Sequence, residues 1–253
     1  MFQFFRETNF EKKMATTTVS VVGIPFIKRG IDGDFGYMIK QRQYDDALFI
    51  IMENFLDSIR DDTANGGGTA CIRKLCIQHV TDADIAKGKK VRAVGIPTGW
   101  SIESEGFTHM DTLRYGIKRA IDLSMERLII VLSMFSFKRI IYSCDSDNPT
   151  LIGTGIFKES IGSDVIQYIS HRLHSLNVAI PNTKVTLDVI RTEEQKLLPY
   201  ALAIYQNRRL ANENARLISI LTKNGINHKS PSPNKTIGKK HAIIQSRLRS
   251  GSL

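Results

Sequence analysis

The chain is poor in cysteine: Cys71, Cys76 and Cys144 are its three thiols among 253 residues. That is too few for a disulfide-built scaffold, and an odd number leaves at least one unpaired, so a reducing intracellular compartment, cytoplasmic or nuclear, is expected. No stretch approaches the roughly 20 uninterrupted apolar residues that cross a bilayer, so no membrane span is expected. Met1 to Lys13 is aromatic and charged, without the apolar core and small-residue cleavage site of a secretory signal.

Several chemical motifs are missing too. Neither glycine cluster is followed by Gly-Lys-Ser/Thr, which excludes a Walker A loop, and neither has the three spaced glycines of a dinucleotide fingerprint. Cys71 and Cys76 are five apart, not a CxxC pair. His171 and His174 sit three apart with no cysteine or acid at metal spacing, so no metal site is expected. Asp145 and Asp147 lack the glycine and final glutamate of a calcium loop and read as a turn. There is no nucleophile elbow, and no cofactor is expected.

What is present is enough to fold. The chain is 42% hydrophobic and 24% charged, which supports a sizeable core. Its formal charge of +10 is uneven: residues 223–253 carry seven lysines and arginines with no acid, leaving +3 for the first 222. That segment also holds Ser230-Pro231-Ser232-Pro233 and few large apolar residues. It reads as a flexible basic tail, either solubilising or drawn to a polyanion such as nucleic acid by counterion release. Residues 1–18 read as an N-terminal extension and 19–222 as the folded domain.

Within that domain, short β-branched runs at Val19–Ile24, Ala47–Ile51, Val91–Ile96, Arg139–Ser143 and Val185–Ile190 read as strands. The second is continuously apolar, as in a strand buried on both faces. Helical spacing runs from Asp111 through Leu132, over Val165, Ile169, Leu173 and Leu176, and from Thr192 to about Leu221, where Pro199 fits only a first turn or a kink. Strands alternating with helices predict a three-layer α/β domain, a mixed central sheet flanked by helices.

Two glycine clusters carry the chemical interest: Asn65-Gly66-Gly67-Gly68-Thr69-Ala70, and Gly153-Thr154-Gly155-Ile156-Phe157 ahead of a helical stripe. Glycines permit sharp turns and close backbone approach, and freed amides make an anion site. Taken singly, either is more often an ordinary turn than a site.

In order and context the two clusters resemble those of a macro domain, the ADP-ribose-binding α/β module. The strand Ala47–Asn54 looks like that family's Asn-Ala-Ala-Asn strand, with Asn54 at the second asparagine. Gly66-Gly67-Gly68-Thr69 looks like its Gly-Gly-Gly-Val loop, and Gly153–Phe157 like its Ser-Thr-Gly-Ile-Phe-Gly loop. The clusters lie 87 positions apart, similar to the family's separation. Gly33-Asp34 is similar to its Gly-Asp pair, and Val185–Ile190 with Thr192-Glu193-Glu194 to its last strand and acid-capped helix. The likeness covers roughly residues 19–212.

The resemblance implies binding of ADP-ribose, a related nucleotide diphosphate or an ADP-ribosylated substrate. Asp34 would take the adenine amine. Gly66, Gly67, Gly68, Thr69, Gly153, Thr154, Gly155 and Ile156 would cradle the diphosphate. Phe157 either packs on the distal ribose or plugs the core. Asn54 is the candidate catalytic residue, bonding ribose hydroxyls, or else it caps its own turn. Ile51 and Met52 depart from the family's polar and small residues. Ala70 stands where hydrolysing members have an aspartate, which favours binding over hydrolysis. Pro97-Thr98-Gly99-Trp100 has no counterpart: Trp100 or Phe107 is either a stacking platform or part of a surface loop. The competing readings are a basic nucleic-acid-binding protein and an interaction protein with a degenerate pocket.

Overall fold

The computed structural model describes residues 19–59, 66–101, 106–111, 116–153, 160–176 and 186–224. The expected N-terminal extension lies outside these residues, as does the basic tail apart from Lys223 and Asn224.

Four strands form one sheet: β1 (Ser20–Pro25), β2 (Ala47–Asn54), β3 (Ala93–Gly99) and β4 (Arg139–Cys144), in the order β1-β4-β2-β3. All three pairings are parallel. This corrects the expected mixed sheet: no described strand runs antiparallel to its neighbours. Ala47 to Ile51 in β2 are fully buried, as the unbroken apolar run requires of a strand covered on both faces. β3 lies at the sheet edge, where Pro97 withholds no ladder bond from a further strand.

The period of two along β2 divides the core. Leu48 and Ile50 join Val94, Ile96, Ile140 and Tyr142 on one face. They pack under three long helices: α4 (Ile117–Met134), α5 (Ser163–Ser175) and α6 (Leu187–Lys223). Phe49 and Ile51 join Ala93 and Ile141 on the other. That face is covered by α1 (Phe35–Met38), the 3₁₀ turn Arg42–Tyr44 and the 3₁₀ segment Gly68–Leu75, through Phe35, Met38, Tyr44, Ala70 and Ile72. Two short helices, α2 (Phe55–Ser58) and α3 (Asp82–Ala86), and a 3₁₀ turn Ile77–His79 complete the passage from β2 to β3.

The strand expected at Val185–Ile190 is a correction: Val185 lies outside the described residues, and Leu187–Ile190 are the first turn of α6. Thr186 caps this turn, its hydroxyl accepting from the Val189 amide at 3.3 Å. The alternation of Leu187 and Val189 was a local coincidence, since Val189 is 50% exposed. The longer period over Ile190, Glu194, Leu197 and Ala201, all buried, decides for a helix. Pro199 lies well inside α6 on its exposed side, not in the first turn. Trp100 is neither platform nor surface loop. It packs edge-on against Phe55, Phe107 and Tyr200, with ring centroids 5.0–5.4 Å apart, inside the core.

Two helices of the same layer are joined by charge: Arg127 on α4 donates to Glu194 on α6, with side chains 3% and 6% exposed. Removing one partner of such a pair leaves a charge buried alone, whereas replacing both removes the desolvation cost with the bond. Arg127→Met alone is therefore expected to lower the unfolding free energy by about 3–5 kcal/mol in urea denaturation. Arg127→Met with Glu194→Leu should recover most of that loss.

Candidate functional site at the carboxyl end of the sheet

β2 and β4 part company before they end. Their pairing runs from Ala47/Arg139 to Ile50/Tyr142. Beyond it β2 continues to Asn54 beside β3, while β4 continues to Cys144 beside β1. Parallel sheets bind ligands in crevices at the carboxyl ends of their strands. Every sequence-predicted site residue that is described falls at this end: Asp34 after β1, Asn54 at the tip of β2, Gly66–Thr69 after it, and Gly153 after β4. Thr154, Gly155, Ile156 and Phe157 lie outside the described residues.

The first glycine cluster is three positions with three different jobs. Gly66 is a packing glycine: a Cβ there would meet Ala70 Cβ at 2.9 Å and the Arg73 guanidinium at 3.3 Å. Gly68 holds φ +56, the left-handed region glycine accepts without strain. Gly67 has ordinary φ of −80, and no described residue stands within 4 Å of where its Cβ would be. Gly67 and Gly68 are both exposed, so the turn presents bare backbone to solvent. The turn is closed by Gly66 N–H to the Ala70 carbonyl at 2.9 Å and Ala70 N–H to the Gly67 carbonyl at 3.1 Å. It is pinned to the sheet where Thr69 Oγ1 accepts from the Met52 amide at 3.2 Å. That amide lies past the last β2–β4 pair.

Asp34 comes to the same segment from the other side. Gly33 at φ +101 turns the chain under the Pro25 carbonyl, and Asp34 then caps α1, accepting from Tyr37 N–H and Gly30 N–H at 3.2 Å each. A Cβ on Gly36 would stand 3.3 Å from both Asp34 Oδ1 and Cys71 Sγ. The carboxylate and the glycine segment are thus neighbours, and burial, with the Asp34 charge second, pushes the Cys71 thiol up from its ordinary value. Gly153 folds back on β4, its amide donating to the Ser143 carbonyl at 2.7 Å.

Asn54 is 5% exposed. Its Nδ2 donates to Asp57 Oδ2 at 3.1 Å, and its Oδ1 is buried with no partner among the described residues. It stands at the N-cap of α2 without a capping hydrogen bond from its side chain, so the expected self-capping does not occur.

Sequence reading missed the strongest polar feature beside it. Glu53, fully buried, accepts from Arg73 Nε at 3.0 Å and from Gln78 Nε2 at 2.6 Å, and Arg73 reaches Asp57 at 3.4 Å. Asn54, Asp57, Arg73, Glu53 and Gln78 form one chain of polar contacts from the tip of β2 into both 3₁₀ segments. Gly95 on β3 makes room for it: a Cβ there would fall 1.5 Å from Glu53 Oε1. A lone carboxylate ending the apolar run of β2 and a lone glycine inside that of β3 are the signals the sequence offered. Burial pushes the Glu53 carboxyl up to about 7, against the pull of Arg73 and Arg127. Cys76 beside it is pushed up by burial and by the Glu53 charge.

A cavity of about 220 Å³, lined by Ser58, Gln78, Arg127, Arg191 and Glu194 among others, shares Gln78 with this chain of contacts. None of the sequence-predicted residues lines it. Among the described residues no group of three or more potential metal ligands exists, and no helix is long and apolar enough to cross a membrane. Asp145 accepts from the amides of Asp147 and Asn148, the expected turn. His174 is bonded to the Tyr142 hydroxyl at 3.1 Å. No protein-family model, curated protein or solved structure matches the chain.

The raised carboxyl has a sign. The native state keeps the Glu53 proton to about 7, whereas an unfolded-chain glutamate loses it near 4.5. Between those values the native state binds more protons, so this group's contribution to stability is full below the window and falls as pH rises through it. The drop is on the order of 3 kcal/mol. Glu53→Gln is expected to flatten the decline in unfolding free energy between pH 5 and about 7, read from denaturant curves across that range.

Proposed function

We propose that the domain binds a nucleotide diphosphate of the ADP-ribose class at the carboxyl end of its sheet, with the diphosphate over Gly67 and Gly68. The observation that carries this reading is the bare, open backbone of those two glycines, set beside the gap where β2 and β4 separate. A diphosphate needs close approach of backbone amides without side-chain clash, and a parallel sheet offers that approach at its carboxyl end. Asp34, held beside the glycine segment, supports the adenine end of the same reading. Binding rather than hydrolysis is proposed, because Ala70, where hydrolysing macro domains carry an aspartate, is 5% exposed and belongs to the core.

Gly67→Glu is the test, since a Cβ there meets no described residue within 4 Å and the longer side chain sets a carboxylate over the turn. Calorimetry of the full chain with ADP-ribose is expected to give micromolar binding, and the variant to weaken it at least about tenfold by charge repulsion and clash, with no change in melting temperature. Wild-type protein that fails to bind at millimolar ligand would leave the glycines as a turn only.

A second reading rests on the charge distribution. The seven unopposed cations of residues 223–253 would hold a nucleic acid by counterion release. Fluorescence anisotropy with a labelled duplex is expected to give an affinity that falls linearly in log–log form as salt rises. A chain ending at Asn224 should lose most of that slope while keeping its nucleotide affinity.

A further inference from the structure

The last third of α6 leaves the domain. Residues 206–220 are all exposed, after Leu197 and Ala201 have made their core contacts. The stretch 206–223 is about 27 Å of helix with no sheet or helix face against it among the described residues. A helix of this length standing alone in water is marginal, because helical stability in proteins comes mainly from packing one apolar face. This one has such a face. Leu210 is 63% exposed, Leu217 48%, and Ile218 and Ile220 42% each, a concentration found nowhere else on the described surface.

The spacing says what covers it. Leu210 and Leu217 are seven apart, and Leu221 follows four later. Asn207 and Asn214 precede the two leucines by three residues each. Set on a heptad, Asn207, Asn214 and Leu221 take the a positions and Leu210 and Leu217 the d positions. Leucine at d suits a parallel two-stranded coiled coil, and an asparagine at a, at a cost in stability, hydrogen-bonds its copy across the seam and fixes register and strand number. An apolar stripe interrupted by amides every seven residues matches no plain apolar groove. Its complement is the same stripe on an identical helix.

Along the seam itself no like charges face each other. The flanking positions are Ala211 and Ile218 on one side and Glu213 and Ile220 on the other. In parallel register Glu213 faces Ile218 of the second copy, not a like charge, and it is paired at 3.6 Å with Arg216 of its own helix.

We propose that the chain forms a parallel homodimer through residues 207–221 of α6, the two α/β bodies standing at the amino end of a short coiled coil. This does not rest on the nucleotide-binding reading. Two heptads give a contact at the low end of stable interfaces, so the dimer is expected to dissociate in the micromolar range. The basic segment that follows, +7 on each copy, is brought together by the pairing. Dimerisation should therefore tighten as salt screens that repulsion, the reverse of an ion-paired interface.

Sedimentation velocity on the full chain, from about 1 to 200 µM, reads this directly. The expected result is a concentration-dependent monomer–dimer equilibrium, stronger at about 0.5 M salt than at 0.05 M. Leu210→Asp with Leu217→Asp should leave monomer throughout, with the melting temperature of the body unchanged because neither side chain enters the core. Asn214→Cys should cross-link under mild oxidation, and Arg216→Cys, on the outer face, should not. A monomer at every concentration overturns the proposal. So does an assembly larger than two, a dimer that survives the double aspartate variant, or cross-linking at 216 without cross-linking at 214.

Discussion

A carboxylate with no access to water sits at the end of the most buried strand, and much of the surrounding geometry answers to it. Glu53 closes an apolar run whose first five residues are fully buried, so it has no solvent to meet its charge. Its two oxygens are met instead by Arg73 and Gln78, one from each of the 3₁₀ segments that follow the glycine turn. Neither segment has the length or hydrogen bonding to hold itself. Each is positioned because a buried carboxylate left unpaired costs more than the chain can bear. The glycine turn inherits that position: Arg73 lies three residues past Ala70, and its guanidinium stands against Gly66. The same demand explains Gly95, since any side chain there would occupy the space the carboxylate fills.

The arrangement separates two kinds of glycine that composition treats alike. Gly66 and Gly95 are small because something is already beside them. Gly67 and Gly68 are small with nothing beside them. Packing explains the first pair completely and the second not at all. Gly68 still needs its left-handed backbone, whereas at Gly67 no described residue stands where a side chain would begin.

Much of the sheet was readable before any coordinates. Apolar runs marked β1, β2, β3 and β4 to within three residues, most plainly β2 and β3, whose burial on both faces leaves an unbroken signature. The α6 entrance was misread for the converse reason. Six residues of Val-Leu-Val alternation outweighed a helical stripe, Ile190, Glu194, Leu197 and Ala201, that breaks pattern at a charged position. Glu194 is buried only because Arg127, 67 residues earlier, is there to meet it, and a partner so distant in sequence casts no local shadow. Glu53 was passed over in the same way: its partners are 20 and 25 residues on. Trp100 read as either a platform or part of a surface loop, yet three aromatic neighbours drawn from three other parts of the chain enclose it. In each case the local pattern was right about polarity and wrong about company.

α6 brings these scales together on one element. Its first half is amphipathic toward the body, with the Arg127 pair and Leu197 facing α4. Its second half turns an apolar stripe toward nothing in the body. A single helix can serve both directions because its stripe need not be continuous: Ile190, Leu197 and Ala201 follow one line, and Leu210, Leu217 and Leu221 follow another. The changeover falls at residues 202–206, where exposure rises from intermediate to full. A helix meant only to cap the sheet has no cause to continue for some five turns past its last core contact, and one meant only to be solvated has no cause to carry leucines at heptad spacing there. The two features together make the extension an interaction element joined rigidly to the domain that would bind the ligand.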